Sequence, residues 1–277
     1  MKLSIPQALA RLLAAGVAAL ALSAGALAQD FPSKPIKFVV PFPPGSATDT
    51  SARYFGKKIT DLTGQPVVVD NKPGANSIIA IRAVQAAPAD GYTVFIGSNS
   101  PLAVNAALFK QLPYDPVADF TPLSLLTRVA GVLIVPADSP YKTVAELVAA
   151  AKAQPGKLNF GFGSAGYQLM GELFNEIAGT QTAGIPFKSA TDSVTAVASG
   201  TVSFSFVEIS SALELVRSGK IRALAIASPT RSPALPQVPT AHEAGLTNMS
   251  AYAWVAAVVP AKTPKAETEK LADLFTR

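Results

Sequence analysis

Short strand-like segments alternate with helix-like segments along most of this chain. Apolar runs at 36–40, 67–70 and 92–97 have the length and β-branched content of buried strands, and each is followed by a segment with helical spacing of its apolar residues. The same order returns between residues 143 and 228. Because parallel strands need a crossover connection, usually a helix, this order predicts an α/β fold with mostly parallel sheets flanked by helices.

Two such α/β units predict two lobes with a ligand cleft between them. We assign residues 29–128 and 229–277 to lobe 1 and residues 129–228 to lobe 2. The Pro-rich run 229–239 is predicted to cross the surface back to lobe 1, where residues 252–259 would add one more buried strand. The two lobes would then be joined by extended segments rather than by a flexible linker.

The first 28 residues have the pattern of an export signal. Lys2 and Arg11 precede an apolar run from Leu12 to Leu22, and Ala26-Leu27-Ala28 matches an A-x-A cleavage site. The run is short for a membrane span, which disfavours the alternative of an uncleaved anchor. We therefore predict an exported protein, cleaved after Ala28, with no stable membrane insertion after cleavage.

The charge and the residue composition exclude several classes of protein. Cleavage after Ala28 removes two basic residues, so the formal net charge falls from +5 to +3, and the remaining Lys and Arg form no run. A nucleic-acid partner is therefore not expected. The chain has no cysteine and a single histidine, His242, which excludes disulfides, thiol catalysis and the usual zinc sites. We expect no metal ion and no cofactor.

The most distinctive loop joins the first strand to the first helix and reads Pro41-Phe42-Pro43-Pro44-Gly45-Ser46-Ala47-Thr48-Asp49. Such a turn presents free backbone N–H groups, and the following helix adds the positive end of its dipole. Both features favour an anionic ligand. The alternative is an ordinary connection in which Ser46 or Thr48 only caps the helix. Asp49 either contacts the ligand or complements the helix dipole.

A second loop, residues 163–168, belongs to a glycine-rich stretch, and Gly161-Phe162-Gly163-Ser164-Ala165-Gly166 matches the dinucleotide-binding pattern G-x-G-x-x-G. We reject a dinucleotide because the next strand ends at Phe187-Lys188, without the acidic residue that would bind a ribose, and because the protein is exported. The glycines still allow the backbone to approach an anion closely.

Polar residues also end three other predicted strands. Ser98, Asn99 and Ser100 lie at the carboxyl end of a strand in lobe 1, where open α/β sheets bind ligands. Lys188 and Glu208 end strands in lobe 2. They are candidates for contact with the far end of a ligand, and the alternative for each is a surface charge.

Five motifs in a fixed order carry a resemblance to a known family. Besides the first loop they are residues 71–75 (NKPGA), 90–93 (DGYT), 112–116 (LPYDP) and 231–240 (RSPALPQVPT). On these motifs the mature chain resembles the receptors of tripartite tricarboxylate transporters, also called the Bug family of extracytoplasmic solute-binding proteins. The resemblance implies a two-lobed type II periplasmic binding protein fold. It also implies a periplasmic receptor that closes on a small carboxylate and delivers it to the integral membrane subunits of a permease; we expect a monomer without catalytic activity.

The resemblance further implies where the ligand binds. The carboxylate would be held largely by backbone amides, with ordered water, between the first loop and the second loop. Together with the strand-end residues, the candidate ligand-binding residues are Phe42, Pro44, Gly45, Ser46, Ala47, Thr48, Asp49, Ser98, Asn99, Gly163, Ser164, Ala165, Gly166, Tyr167, Lys188 and Glu208.

Three features depart from the family pattern. Ser46 replaces a usual glycine of the first loop, and Gln168 replaces a histidine common after the second loop, which is also shorter than usual. These departures predict ligand contacts at both loops that differ from those of the family. Family members normally continue for some dozens of residues past Arg277, so the resemblance implies a truncated lobe 1.

Three functions are compatible with these features. The first is the transport receptor, and the second is a sensor subunit in which the same closed receptor docks on a membrane kinase. The third, an exported hydrolase that uses Ser164, is disfavoured because His242 is the only histidine base and no G-x-S-x-G motif occurs. We expect His242 in a short exposed helix and Trp254 in the core. The ligand stays open among dicarboxylates, tricarboxylates, amino acids and aromatic or nicotinate-like acids.

Overall fold

The computed structural model describes residues 31–277. The predicted signal peptide, residues 1–28, lies outside the described residues. Between residues 31 and 277, no helix combines the length and the apolar character that crossing a membrane requires.

Strands and helices alternate as the sequence predicts, with bounds that differ from the predicted ones by a few residues. The strands of this part of the chain are β1 (Ile36–Val40), β2 (Val67–Asn71), β3 (Thr93–Ser98), β4 (Phe120–Pro136), β5 (Asn159–Phe162), β6 (Ala183–Pro186), β7 (Phe204–Glu208), β8 (Ile221–Ile226) and β9 (Tyr252–Pro260). Its helices are α1 (Ala47–Thr63), α2 (Ile78–Gln85), α3 (Asn105–Leu108), α4 (Val144–Ala153), α5 (Ala165–Ala178), α6 (Ala190–Ala198), α7 (Ile209–Arg217) and α8 (Lys265–Thr276). A 3₁₀ turn (Ala75–Ser77) precedes α2, and a π-helical turn (Ser100–Val104) precedes α3.

The long strand β4 connects two groups of strands. The strand order is β2-β1-β3-β9-β4-β7-β5-β6, and β8 also pairs with β4. We call β2, β1, β3 and β9 the β1 group, and β7, β5, β6 and β8 the β5 group. From Phe120 to Ala130, β4 pairs with β9, and from Gly131 onward it pairs with β7 and β8. The assignment of residues 29–128 plus 229–277 and of residues 129–228 to two lobes stays a prediction.

Parallel and antiparallel pairings divide between these strands in a regular way. Strand β1 pairs in parallel with β2 and β3, and β5 pairs in parallel with β6 and β7. All pairings of β4 and β9 are antiparallel. Helical segments connect the parallel strands along the chain. Strand β9 follows β8 in the sequence, so it joins the β1 group only after the β5 group is complete.

Separate hydrophobic clusters cover the two groups. In the β1 group, Phe38 of β1 stacks on Phe275 of α8, with ring centroids 5.7 Å apart. In the β5 group, the ring centroid of Phe204 lies 5.7 Å from that of Phe160 and 5.2 Å from that of Phe174. These aromatic contacts fix the helices against the strands and leave the loops at the strand ends free for other contacts.

Short-range signals set the starts of the helices. Ser46 is the N-cap of α1, where its Oγ accepts a hydrogen bond from the Asp49 N–H at 3.2 Å. A capping box, formed by Thr143-Val144-Ala145-Glu146, starts α4. There the Glu146 N–H donates to Thr143 Oγ1 at 3.2 Å, and the Thr143 N–H donates to the Glu146 carboxylate at 3.1 Å. Each cap satisfies N–H groups that the helix itself leaves without acceptors.

The Pro-rich run 229–239 follows the surface only in part. Leu235 and Val238 are buried and pack in one cluster with Val132 and Ile134 of β4. The prediction of a plain surface crossover is therefore wrong at these two positions. Two successive turns, closed by the N–H groups of Leu235 and Val238, put both apolar side chains on the inner side.

Candidate functional site

A cleft lies where the carboxyl ends of the parallel strands of both groups meet. The loops after β1, β5 and β6, together with the ends of β3 and β7, enclose a narrow cavity of about 60 Å³. We call it the inner cavity. An adjoining, outer cavity shares part of this wall, and its lining residues are Pro41, Phe42, Pro43, Pro44, Pro73, Gly74, Ala75, Asn76, Ser77, Ser100, Asn105, Gly163, Ser164, Ala165, Phe187, Lys188, Ser189, Thr191 and Asp192. The residues that line the inner cavity are Phe42, Pro43, Pro44, Ser46, Ala47, Thr48, Ser98, Asn99, Gly163, Ser164, Tyr167, Ser189, Ala190, Thr191, Glu208, Ser211, Ala253, Trp254 and Val255.

The first loop places the start of α1 at this cavity. Gly45 has a φ of +85°, a left-handed conformation that favours glycine, and it turns the chain toward the helix. None of the hydrogen bonds within residues 31–277 uses the backbone N–H groups of Ala47 or Thr48. Because these two groups stand at the N-terminus of a 17-residue helix, they form a region of positive potential.

Asp49 stabilises the first loop and lines neither cavity. Its carboxylate accepts hydrogen bonds from the Gly45 N–H (2.9 Å) and Asn71 Nδ2 (2.9 Å). It also forms an ion pair with Arg53 Nη2 at 2.9 Å. Burial by itself would raise the pKa of Asp49, but its hydrogen bonds, above all those from Arg53, outweigh burial and hold this pKa below its ordinary value. The structure thus favours the structural interpretation of Asp49 over direct ligand contact.

The second loop brings the start of α5 to the opposite wall. Gly163 touches the backbone of the next loop: a Cβ at this position would lie 2.1 Å from the carbonyl carbon of Ser189 and 2.3 Å from the nitrogen of Ala190. The Ser164 side chain makes no capping hydrogen bond, and the Ala165 N–H is used by no hydrogen bond within the described part of the chain. A second helix N-terminus therefore borders the cleft.

A hydrogen bond joins the two walls beside the cavity. The Gly166 N–H of α5 donates to Ser100 Oγ at 2.9 Å, and the Ser100 N–H donates to Ser98 Oγ at 3.2 Å. A Cβ on Gly166 would lie 2.8 Å from Asn99 Nδ2, so a larger residue here would push the walls apart. This contact fixes the distance between the β3 end and the second loop.

Glu208 is a buried acid in the wall that the β5 group provides. Only 4% of the residue is exposed, and its Oε2 has no hydrogen-bond partner within residues 31–277. Burial raises the pKa of the Tyr167 phenol well above its ordinary value, and the charge of the neighbouring Glu208 carboxylate raises it further. The Tyr167 hydroxyl therefore stays protonated at neutral pH. None of the residues that line the inner cavity is Lys, Arg or His.

Most of the candidate residues from the sequence meet at the inner cavity, and they are Phe42, Pro44, Ser46, Ala47, Thr48, Ser98, Asn99, Gly163, Ser164, Tyr167 and Glu208. Ala165 and Lys188 line the outer cavity instead. Gly45, Asp49 and Gly166 line neither cavity and stabilise the loops from behind. Direct contact between any of these residues and a ligand stays a prediction.

One part of the wall was not predicted from the sequence, and it is formed by Ser189, Ala190, Thr191, Ser211, Ala253, Trp254 and Val255. Trp254 is half-buried and lines the cavity, so its assignment to the core is wrong. A capping hydrogen bond from the Asp192 N–H to Ser189 Oγ (3.1 Å) marks the start of α6, and this S-x-x-D pattern could have indicated the site. No local signal places β9 here, since it reaches the cavity only by pairing with β3 and β4.

His242 lies apart from the cleft. It is exposed and belongs to a single turn, rather than to a short helix, and it lines neither cavity. Within the part of the chain that the structure describes, no three side chains of His, Cys, Asp or Glu cluster as a metal site would need.

Comparison with known proteins identifies the family. Residues 51–277 match the family described as "Tripartite tricarboxylate transporter family receptor". The chain belongs to this family. Protein BugT of Bordetella pertussis is 37% identical over 250 residues, which cover 89% of this chain and 77% of that protein. The resemblance carried by the five sequence motifs is confirmed, and with it the class of the protein as a solute receptor.

Solved structures of similar proteins agree with the fold. R. palustris Rpa4515 with adipate is 31% identical with a TM-score of 0.84, over 89% of this chain and 83% of that chain. MatC (Rpa3494) from Rhodopseudomonas palustris with bound malate is 32% identical with a TM-score of 0.82, over 89% of this chain and 85% of that chain. These likenesses confirm the predicted α/β fold of the two-lobed periplasmic binding protein type.

Proposed function

We propose that this protein is an extracytoplasmic receptor that binds a small carboxylate in the inner cavity and delivers it to a membrane permease of the tripartite tricarboxylate type. One observation carries the proposal. The N-termini of α1 and α5 converge on one cleft from opposite walls, and the N–H groups of Ala47, Thr48 and Ala165 have no acceptors among residues 31–277.

This arrangement suits a carboxylate better than a neutral ligand or a cation. Helix N-termini concentrate partial positive charge on backbone N–H groups, which are preorganised donors for an anion. The anion thereby gains charge-assisted hydrogen bonds without a buried Lys or Arg, whose own desolvation would cost free energy. The narrow inner cavity, of about 60 Å³, limits the ligand to a small molecule.

The comparisons support this choice of ligand class. Two of the similar solved structures are described with adipate and with bound malate, both of which are carboxylates. Members of the matched family are described as transporter receptors, which supports a permease as partner and the periplasm as location. The predicted signal peptide is consistent with that location.

Hydrolysis is not part of the proposal. Ser164 lines the cavity, but the single histidine of the chain, His242, is exposed and lines neither cavity. A serine nucleophile needs a base within hydrogen-bond reach. We therefore assign Ser164 to the binding wall.

A thermal-shift experiment tests the proposal on the processed protein, purified after export. The panel contains malate, succinate, adipate, citrate, benzoate, alanine and β-alanine, each with its amide as control. An acid at about 100 times its dissociation constant should stabilise the protein by about 2.7 kcal/mol, which raises Tm by several degrees, whereas its amide should not. If no acid of the panel shifts a cooperative melt, the proposal fails.

A proline substitution tests the role of the α1 N-terminus directly. Ala47 is the first residue of α1, a position where proline is tolerated, so Ala47→Pro removes one N–H donor while the helix can persist. The loss of one charge-assisted hydrogen bond should weaken carboxylate binding about tenfold. Lys265→Pro, at the first position of α8 and away from both cavities, is the matched control. Equal affinity of both variants would contradict the assignment of the α1 N-terminus as the anion site.

A further inference from the structure

Glu208 occupies a position that the capture of a carboxylate does not explain. It ends β7 and is the N-cap residue of α7, but its side chain makes no capping hydrogen bond. Only 4% of the residue is exposed. Its Oε2 is buried and has no hydrogen-bond partner in the described residues. The Oε2 atom therefore serves neither the helix nor the solvent.

The surroundings of Glu208 supply no positive charge. None of the ion pairs found within residues 31–277 includes Glu208. The inner cavity has no Lys, Arg or His in its wall, and Lys188 lines the outer cavity instead. The neighbouring Tyr167 offers one neutral hydroxyl. An unpaired buried carboxylate is costly, and a positively charged group of the ligand would supply the missing partner.

We propose that the ligand is a zwitterion, a small carboxylate that carries a protonated amino group. This inference rests on the proposed function. The ligand carboxylate binds the helix N-termini of α1 and α5, and its ammonium group donates to Glu208 Oε2. The two ends of the cavity thus have opposite potential: backbone N–H groups at one end and a side-chain carboxylate at the other.

The charge of Glu208 also discriminates against the alternatives. A second ligand carboxylate beside Glu208 would place two like charges in a region of low dielectric, which disfavours dicarboxylates at this point. A hydroxyl group would satisfy the hydrogen bond of Oε2 but would leave the charge without a counter-ion. An ammonium group does both, and it forms the stronger, charge-assisted hydrogen bond.

Matched ligand pairs test this proposal by isothermal titration calorimetry on the processed protein. The pairs are succinate with β-alanine, glutarate with 4-aminobutanoate, and propanoate with alanine. Within each pair, the second acid has an ammonium group where the first has a carboxylate or a hydrogen. In at least one pair we expect the amino acid to bind at least tenfold more tightly than its partner.

Two variants assign that preference to Glu208. Glu208→Gln keeps the shape of the side chain and removes its charge, so it should weaken binding of the preferred amino acid at least tenfold and leave the partner acid unchanged or tighter. Glu214→Gln is the matched control, since Glu214 lies on α7 with 86% of its side chain exposed. Glu214→Gln also removes one carboxylate charge, and it should change neither the affinity for the preferred amino acid nor the affinity for its partner acid.

The outcomes separate the two proposals. If carboxylates bind but no amino acid is preferred in any pair, or if Glu208→Gln lowers the affinity no more than Glu214→Gln does, the zwitterion proposal is overturned and the receptor proposal stands. If no acid of any pair binds, the zwitterion proposal is overturned, and the thermal-shift panel decides the receptor proposal separately. Should Glu208→Gln not fold, the ligand pairs measured on the unaltered protein still decide whether an ammonium group is preferred.

Discussion

Replacing Asp49 by asparagine should reveal how much of the binding cleft depends on one buried carboxylate. Asp49 has 3% of its side chain exposed and accepts hydrogen bonds from three residues, Gly45, Arg53 and Asn71. Asparagine keeps the shape but has one acceptor oxygen instead of two. Its NH₂ group must then face donors, either the Gly45 N–H or Asn71 Nδ2.

The magnitude follows from these contacts. Arg53 is half exposed and can turn toward water, so its loss contributes little. The donor that faces the new NH₂ group, either the Gly45 N–H or Asn71 Nδ2, is left without its acceptor. Losing a charge-assisted hydrogen bond inside the protein costs about 2–3 kcal/mol. For a chain of this size, that corresponds to a decrease in Tm of about 4–12 °C.

The matched control is Asp61→Asn on the same helix. Asp61 pairs with Lys57 at 2.7 Å, four residues away, but both side chains are more than half exposed. Such an exposed pair contributes about 0.3–0.5 kcal/mol, so Tm should change by no more than 1–2 °C, roughly. Circular dichroism melts of the unaltered protein and both variants make the comparison.

Acid provides a second check with a defined sign. Because the pKa of Asp49 is held below its ordinary value in the folded protein, its stabilising contribution is full above the unfolded pKa, about 3.9, and is lost as the pH falls through the folded pKa. The difference in Tm between the unaltered protein and Asp49→Asn should therefore be constant from about pH 5 to 8 and should shrink below about pH 4. If Asp49→Asn has the same Tm as Asp61→Asn, the reasoning is refuted. It is also refuted if the Tm difference between the unaltered protein and Asp49→Asn stays constant below about pH 4.

Three further predictions concern the cleft and its surroundings. Gly163→Ala should lower the stability by about 1–3 kcal/mol, and Tm by about 2–12 °C, because its Cβ would lie 2.1 Å from the Ser189 carbonyl carbon. It should also remove any ligand-induced shift, and an unchanged melt would contradict this contact. Ser100→Ala leaves the Gly166 N–H without its acceptor, so the free energy of unfolding, measured with urea, should fall by about 1–3 kcal/mol. A decrease below about 0.5 kcal/mol would argue against this hydrogen bond between the walls. His242→Ala should leave carboxylate affinity unchanged in calorimetry because the side chain is exposed and outside both cavities, so a weakened affinity would reopen a role for this residue.

Local features of the sequence were sufficient for the order of the elements and for the two binding loops. The caps at Ser46 and Thr143 are formed by residues three positions apart, and strand or helix periodicity extends over fewer than about 20 residues. The first and second loops were likewise recognised from prolines, glycines and hydroxyl residues within one stretch each. Such signals are local, because the groups that interact are close along the chain.

The roles of individual residues around the cleft depended on the tertiary structure. The Gly166 N–H meets Ser100 across 66 positions, Trp254 reaches the cavity through the pairing of β9 with β3 and β4, and Asp49 is bound by Asn71 of β2. Glu208 looked from the sequence like any charge at the end of a strand, and only the assembled wall shows that it is buried without a counter-ion. The sequence determines which side chains are available. Their burial and their hydrogen-bond partners depend on how distant segments pack together. Packing therefore decides whether a carboxylate stabilises a loop, as Asp49 does, or has an oxygen without a partner in the cavity wall, as Glu208 does.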